Sequence, residues 1–121
     1  MPNRQHGYLL DMLQSTEIIE QYLYGYTRDL FMEDSRTQDT VLRRLLVLGE
    51  AAARLTPDTL DLFPHVPFRK IVGMRNRVVH DYGHIDLEII WNVTRDHLPL
   101  ILDALRLWQK RTTPPGPQSA S

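Results

Sequence analysis

The chain reads as all-α, an up-and-down bundle of about four main helices. Three observations point there. Apolar residues recur at three-and-four spacing through most of the chain, and no strand-like alternation or Asn-Gly hairpin signal competes with them. A length of 121 residues, with 42% hydrophobic and 24% charged side chains, suits one helical core and is short for two.

The first helix is read from Tyr8, with Leu9, Leu10, Met12, Leu13, Ile18, Ile19, Tyr22 and Leu23 at helical spacing until Gly25 weakens it. Asp34 or Ser35 caps the second, whose apolar arc runs through Val41, Leu42, Leu45, Leu48, Ala52 and Leu55 and is stopped by Pro57. Its Gly49, Ala51, Ala52 and Ala53 form a patch of small side chains on which another helix can lie close. Glu50 shares a wheel sector with Arg43 and Arg54 and is assigned to a solvated, ion-paired face.

Pro57, Pro64 and Pro67 punctuate a connection with room for one short helical turn, and the third helix opens at Pro67 or Phe68. Asp86 can cap a long fourth helix through "LEIIWNVTRDHLPLILDALRLWQKR", which Pro99 must kink or restart near His97. Trp91 and Trp108 are read as core or interface packing. Residues 1–111 then form one helical domain, and "TTPPGPQSAS", residues 112–121, a disordered tail without core-forming side chains.

Composition narrows the chemistry. Fourteen basic against fifteen acidic residues leave no global positive field, so contact with RNA must come from a local patch. The absence of cysteine excludes disulfides, thiolate metal sites and cysteine nucleophiles, and fits the reducing cytoplasm. No signal peptide and no membrane span are expected.

The stretch "MRNRVVHDYGH", residues 74–84, concentrates the titratable side chains. On a helical wheel Ile71, Val72, Met74, Val78 and Val79 share an apolar arc, and Arg75 falls inside it, where a charge needs a partner or a cavity. Gly73, Asn76, Arg77 and His80 face the other way, with Asn76 one turn from His80 and able to hold its ring. Tyr82 falls on the Arg75 side if the helix reaches it, and Gly83 ends the helix. Arg77 and Asp81 can form a surface ion pair. His80 and His84 are also four apart, but no third ligand is evident, so neither metal nor cofactor is expected.

Spacing alone would let Arg75 snorkel and His80 stand idle in solvent. The string Arg75-x4-His80-x-Tyr82, with Asn76 directly after the arginine, resembles the Arg-x4-His-x-Tyr motif of HepT-like toxins in the HEPN superfamily. "TQDTVLRRLLVLGEAAARL", "VPFRKIVGMRNRVVHDY" and "IDLEIIWNVTRDHLPLILDAL" are similar to that family's helices, so the resemblance covers most of residues 5–108. It implies a homodimeric, metal-independent endoribonuclease with RNA as substrate and Arg75 and His80 as the catalytic pair in a cleft on the two-fold. Asn76 would support them, and Arg69, Lys70 and Arg77 could extend the positive surface. The resemblance also implies the toxin of a cytoplasmic two-component system. Its antitoxin, a minimal nucleotidyltransferase (MNT type), would silence it by adding AMP to Tyr82.

The chemistry is compatible with that reading. Cleaving RNA without metal needs a base, an acid and a cation for the phosphorane; His titrates near neutrality, and the arginine fork suits phosphate. A two-fold dimer would supply the second histidine and double the local positive charge. The alternative is a non-catalytic dimeric helical module that binds nucleotide or a nucleotidyltransferase. A purely structural bundle would leave Arg75 unexplained.

Overall fold

The computed structural model describes residues 3–80 and 85–112, which hold seven helices and no strand. Three are long single helices: α1 (Asn3–Leu23), α3 (Ser35–Ala53) and α5 (Phe68–His80). The fourth unit is α6 (Leu87–Asp96) continued by α7 (Leu98–Thr112), and α2 (Arg28–Glu33) and α4 (Pro57–Leu60) are short connectors. Helix α3 packs on both α1 and α5, and α1 also meets α7, so the four expected units close around one core.

Helix α1 begins well before Tyr8 because its first turns are held by a polar residue that carries no apolar signal. Gln5 is buried; its Nε2 donates to the Arg54 carbonyl at 3.0 Å and its Oε1 accepts from the Thr56 amide at 2.9 Å, serving backbone groups at the α3 C-terminus. Gly25, with φ +76°, then turns the chain in a conformation that strains any side-chain-bearing residue. The six-residue α2, invisible to periodicity, is fixed by buried Phe31, whose ring lies 5.4 Å from that of Trp91.

Asp34 caps α3. Its carboxylate accepts from the Thr37 amide at 3.1 Å, the Thr37 hydroxyl at 2.8 Å and the Tyr26 hydroxyl at 2.5 Å. These donors, Tyr26 foremost, hold its pKa below the usual carboxylate range. Thr56 caps α4 through the Thr59 amide at 3.3 Å, Asp86 caps α6 through the Glu88 amide at 2.9 Å, and α5 opens at Phe68.

The expected break near His97 is a restart. The His97 amide closes α6 on the Val93 carbonyl at 3.0 Å, and the His97 carbonyl receives the Ile101 amide at 3.2 Å. Pro99 thus sits in the first turn of α7, where a missing N–H breaks no helical bond.

The core is made by Leu9, Met12 and Ile19 of α1, Leu45 and Leu48 of α3, Ile71 of α5, Ile90 of α6, and Ile101 and Leu105 of α7. Trp91 and Trp108 are buried in it, as expected. Leu10, Tyr22 and Val79, expected on apolar faces, are exposed, and so is Ala53 of the small-residue patch. Leu10 and Ala53 lie well around their helices from the buried stripe, and Tyr22 and Val79 stand beyond its edge. No helix among the described residues is long and apolar enough to cross a membrane. Helix α7 includes Thr112, one residue past the expected boundary, and the remainder of the tail lies outside the described residues.

Candidate active site

The site is built where α5 crosses α3. Gly49 of α3 is buried; a Cβ there would overlap the Cβ of Arg75, stand 2.8 Å from its Cγ and touch the Ile71 carbonyl oxygen at 3.4 Å. The expected close approach of two helices is therefore made at the glycine itself. It also explains how an arginine occupies the apolar arc of α5. Its aliphatic stem lies across the Gly49 backbone, and only its head emerges, leaving the side chain 27% exposed.

That head is held on two sides. The Nη1 group donates to Asn76 Oδ1 at 2.6 Å, and the Nη2 group donates to Glu50 Oε2. The other Glu50 oxygen accepts from Arg54 Nη2 at 3.4 Å, and the Arg54 guanidinium carbon lies 5.9 Å from the centre of the Tyr8 ring. A surface ladder of Arg54, Glu50, Arg75 and Asn76 results. Hydrogen bonding and charge from Arg75, with a smaller contribution from Arg54, hold the Glu50 carboxyl below its usual range. Glu50 is thus an anion throughout the neutral range.

Glu50 is exposed and paired with Arg54, as the helical wheel of α3 indicates, but its partner on α5 is new. A wheel groups residues within one helix and cannot display a neighbour across a crossing. The signal that could have found it is the adjacent Gly49, because a residue beside a close-approach glycine must face the incoming helix. Among the described residues Arg43 makes no ion pair with Glu50, and the Asn76 side-chain oxygen serves Arg75 instead of the His80 ring.

His80 is the last residue of α5 and is exposed. It stands five positions after Arg75, roughly 7.5 Å along the axis and about 140° around it. One chain alone therefore does not bring the two side chains onto a common helical face. Arg69 and Lys70 on the first turn of α5 and Arg77 on its last are exposed. Arg77 also lines a cleft with Met74, Val78 and Asp86. Tyr82, Asp81, Gly83 and His84 lie outside the described residues, and with them the expected modification site, the expected Arg77–Asp81 pair and the expected stop at Gly83. Among the described residues no group of three or more His, Asp or Glu side chains is placed to hold a metal.

A family model described as ribonuclease HepT-like matches residues 12–107, a span that contains Glu50, Arg54, Arg75, Asn76 and His80. The chain is similar to a provisionally named RNase of Methanocaldococcus jannaschii, 33% identical over 100 residues that cover 82% of this chain and 83% of the relative. It is also similar to a provisionally named ribonuclease HepT of Thermococcus cleftensis, 29% identical over 99 residues, 82% of this chain and 90% of the relative. A provisionally named RNase of Caldanaerobacter subterraneus is 28% identical over 92 residues, 76% and 82% of the two chains. No solved structure matches the chain.

Proposed function

The chain belongs to the HepT-like ribonuclease family, and from that premise we propose that it is a metal-independent endoribonuclease with Arg75 and His80 as its catalytic residues. The observation that carries this reading is the presentation of Arg75. Its stem is locked over Gly49, and Glu50 and Asn76 take two of the five N–H donors of its fork. At least three donors are open to a phosphate in the free protein, on a fork whose direction the Gly49 contact and Asn76 set before the ligand arrives.

In this mechanism the 2′-hydroxyl oxygen attacks the adjacent phosphorus and gives its proton to one His80. The bond from phosphorus to the 5′-oxygen breaks, and a protonated His80 supplies the proton for that oxygen. A 2′,3′-cyclic phosphate and a 5′-hydroxyl result. Arg75 offsets the charge that builds on the phosphorane. The reaction asks for two histidines and the Arg-x4-His motif of one chain supplies one, His80, well around the helix from Arg75, so a homodimer with a composite cleft completes the site. Asn76 fixes the Arg75 fork, and Arg69, Lys70 and Arg77 extend the basic surface toward RNA. Residues 1–111 make up the catalytic domain.

The same reading assigns a regulator. A nucleotidyltransferase partner transfers AMP from ATP to the Tyr82 phenolic oxygen, with pyrophosphate leaving. Two residues from His80, the added phosphodiester competes with RNA by charge and bulk. The protein is then the toxin of a cytoplasmic toxin–antitoxin pair.

Expression of the wild type without a partner should arrest growth, His80→Ala should not, and co-expression of the partner should restore growth with an adenylyl mass on the Tyr82 peptide. A folded, dimeric and unmodified wild type that leaves growth untouched would give way to the non-catalytic binding module.

A further inference from the structure

The Glu50 carboxylate lies between two guanidiniums, one oxygen on Arg54 and the other on Arg75, in the position that an oxyanion ligand would take. We infer that Arg54 and Arg75 form a two-arginine slot for a phosphodiester of single-stranded nucleic acid, and that Glu50 is its resident anion, displaced when RNA binds. Arg54 becomes an RNA contact in the bound state.

Several features favour exchange over a permanent pair. Glu50 and Arg54 side chains are 48% and 58% exposed, so solvent screens their attraction and a competing anion can reach both. The Arg54 contact is long at 3.4 Å, whereas Arg54 is also attached to Tyr8, which keeps it in place when Glu50 leaves. A phosphate on Arg75 would meet the full charge of Glu50 if that carboxylate stayed, because both would use the same Nη2 edge of the guanidinium. The slot opens onto a surface groove along α1 and α3 that Tyr8, Val47 and Arg54 line, with Asp11 also at its wall. Arg54 stands one helical turn, about 6 Å, beyond Glu50.

The inference depends on the ribonuclease reading only for the identity of the occupant, and its test avoids cleavage. In a His80→Ala background, binding of a short labelled single-stranded RNA is measured by fluorescence anisotropy across a salt series, with melting temperatures to confirm folding. Glu50→Gln should tighten binding by about two- to fivefold, the range set by exposed ion pairs. Arg54→Gln should weaken binding and make its salt dependence shallower by roughly 0.7 in log–log slope. Weaker binding by Glu50→Gln would make Glu50 a positioning group for Arg75 and overturn the slot. An unchanged slope in Arg54→Gln, or no measurable binding by the parent, would overturn it too. Cleavage by the wild type is assayed separately; its absence would remove the ribonuclease reading without altering these shifts.

Discussion

Gly49 supports the side chain of Arg75 where α3 crosses α5, so close that a methyl group on residue 49 would overlap the arginine's Cβ and stand 2.8 Å from its Cγ. The contact sets both the spacing of the two helices and the direction of the guanidinium. Gly49→Ala should therefore damage stability and site together. Alanine gains up to about 1 kcal/mol of helix propensity, but the overlap at a rigid crossing costs roughly 1–3 kcal/mol. The crossing dominates, and urea unfolding should show a lower midpoint with an unchanged slope. A stabilised Gly49→Ala protein would contradict the packing described.

Arg75→Lys should fail almost as badly as Arg75→Ala in RNA cleavage, each losing on the order of a hundredfold in kcat/KM. Lysine keeps a stem over Gly49 and a charge, but not the planar fork that can hold Asn76 on one side and a carboxylate or phosphate on another. The stability of the lysine variant should stay nearer the wild type than that of the alanine variant, because its stem still packs. Retention of most activity by Arg75→Lys would mean that charge alone matters.

The Asp34 cap predicts a pH dependence. Its pKa is lowered in the fold, first by the Tyr26 hydroxyl and then by the Thr37 amide and hydroxyl. A lowered carboxylate stabilises the fold above the unfolded pKa of about 3.9 and loses that contribution as pH falls through the folded value. Tyr26→Phe should thus be less stable than wild type at neutral pH, with the gap narrowing below about pH 4. Glu20, whose pKa is raised chiefly by burial against the opposing pull of Arg95 and Arg106, works in the other direction. It is common to both proteins and cancels in the comparison. A gap that widens on acidification would disprove the assignment.

Pro99→Ala should change stability by less than about 1 kcal/mol, because the proline sits in the first turn of α7 and not in the middle of a continuous helix, where it would cost about 3 kcal/mol. Thermal unfolding of the pair measures this. A gain of several kcal/mol would mean that α6 and α7 are one strained helix.

The long helices were legible because each buries a stripe with a clear period, and the restart at His97 was legible because proline chemistry is local. Gln5 was not, since its role is to serve backbone groups of a residue 49 positions away. Nor was α2, too short for a period. At the site the sequence placed Arg75 in an apolar arc and asked for a partner; Glu50 and Asn76 are those partners. The wheel of α3 accounts for Glu50 through Arg54, whereas the crossing that brings Arg75 against it is a long-range contact that no single-helix pattern displays. Val79 shares the apolar arc of α5 on the wheel yet is exposed, because a wheel does not show where the cover of a neighbouring helix stops.

Whether Arg75 and His80 form a ribonuclease centre is open to direct measurement. The measurement is cleavage of a labelled single-stranded RNA by purified wild type and His80→Ala, both dimeric and unmodified at Tyr82, in buffer containing a metal chelator. The wild type should cleave, leaving cyclic-phosphate ends, and His80→Ala should not, at unchanged melting temperature. Equal cleavage by the two proteins, or none by the wild type, would contradict a centre built on Arg75 and His80.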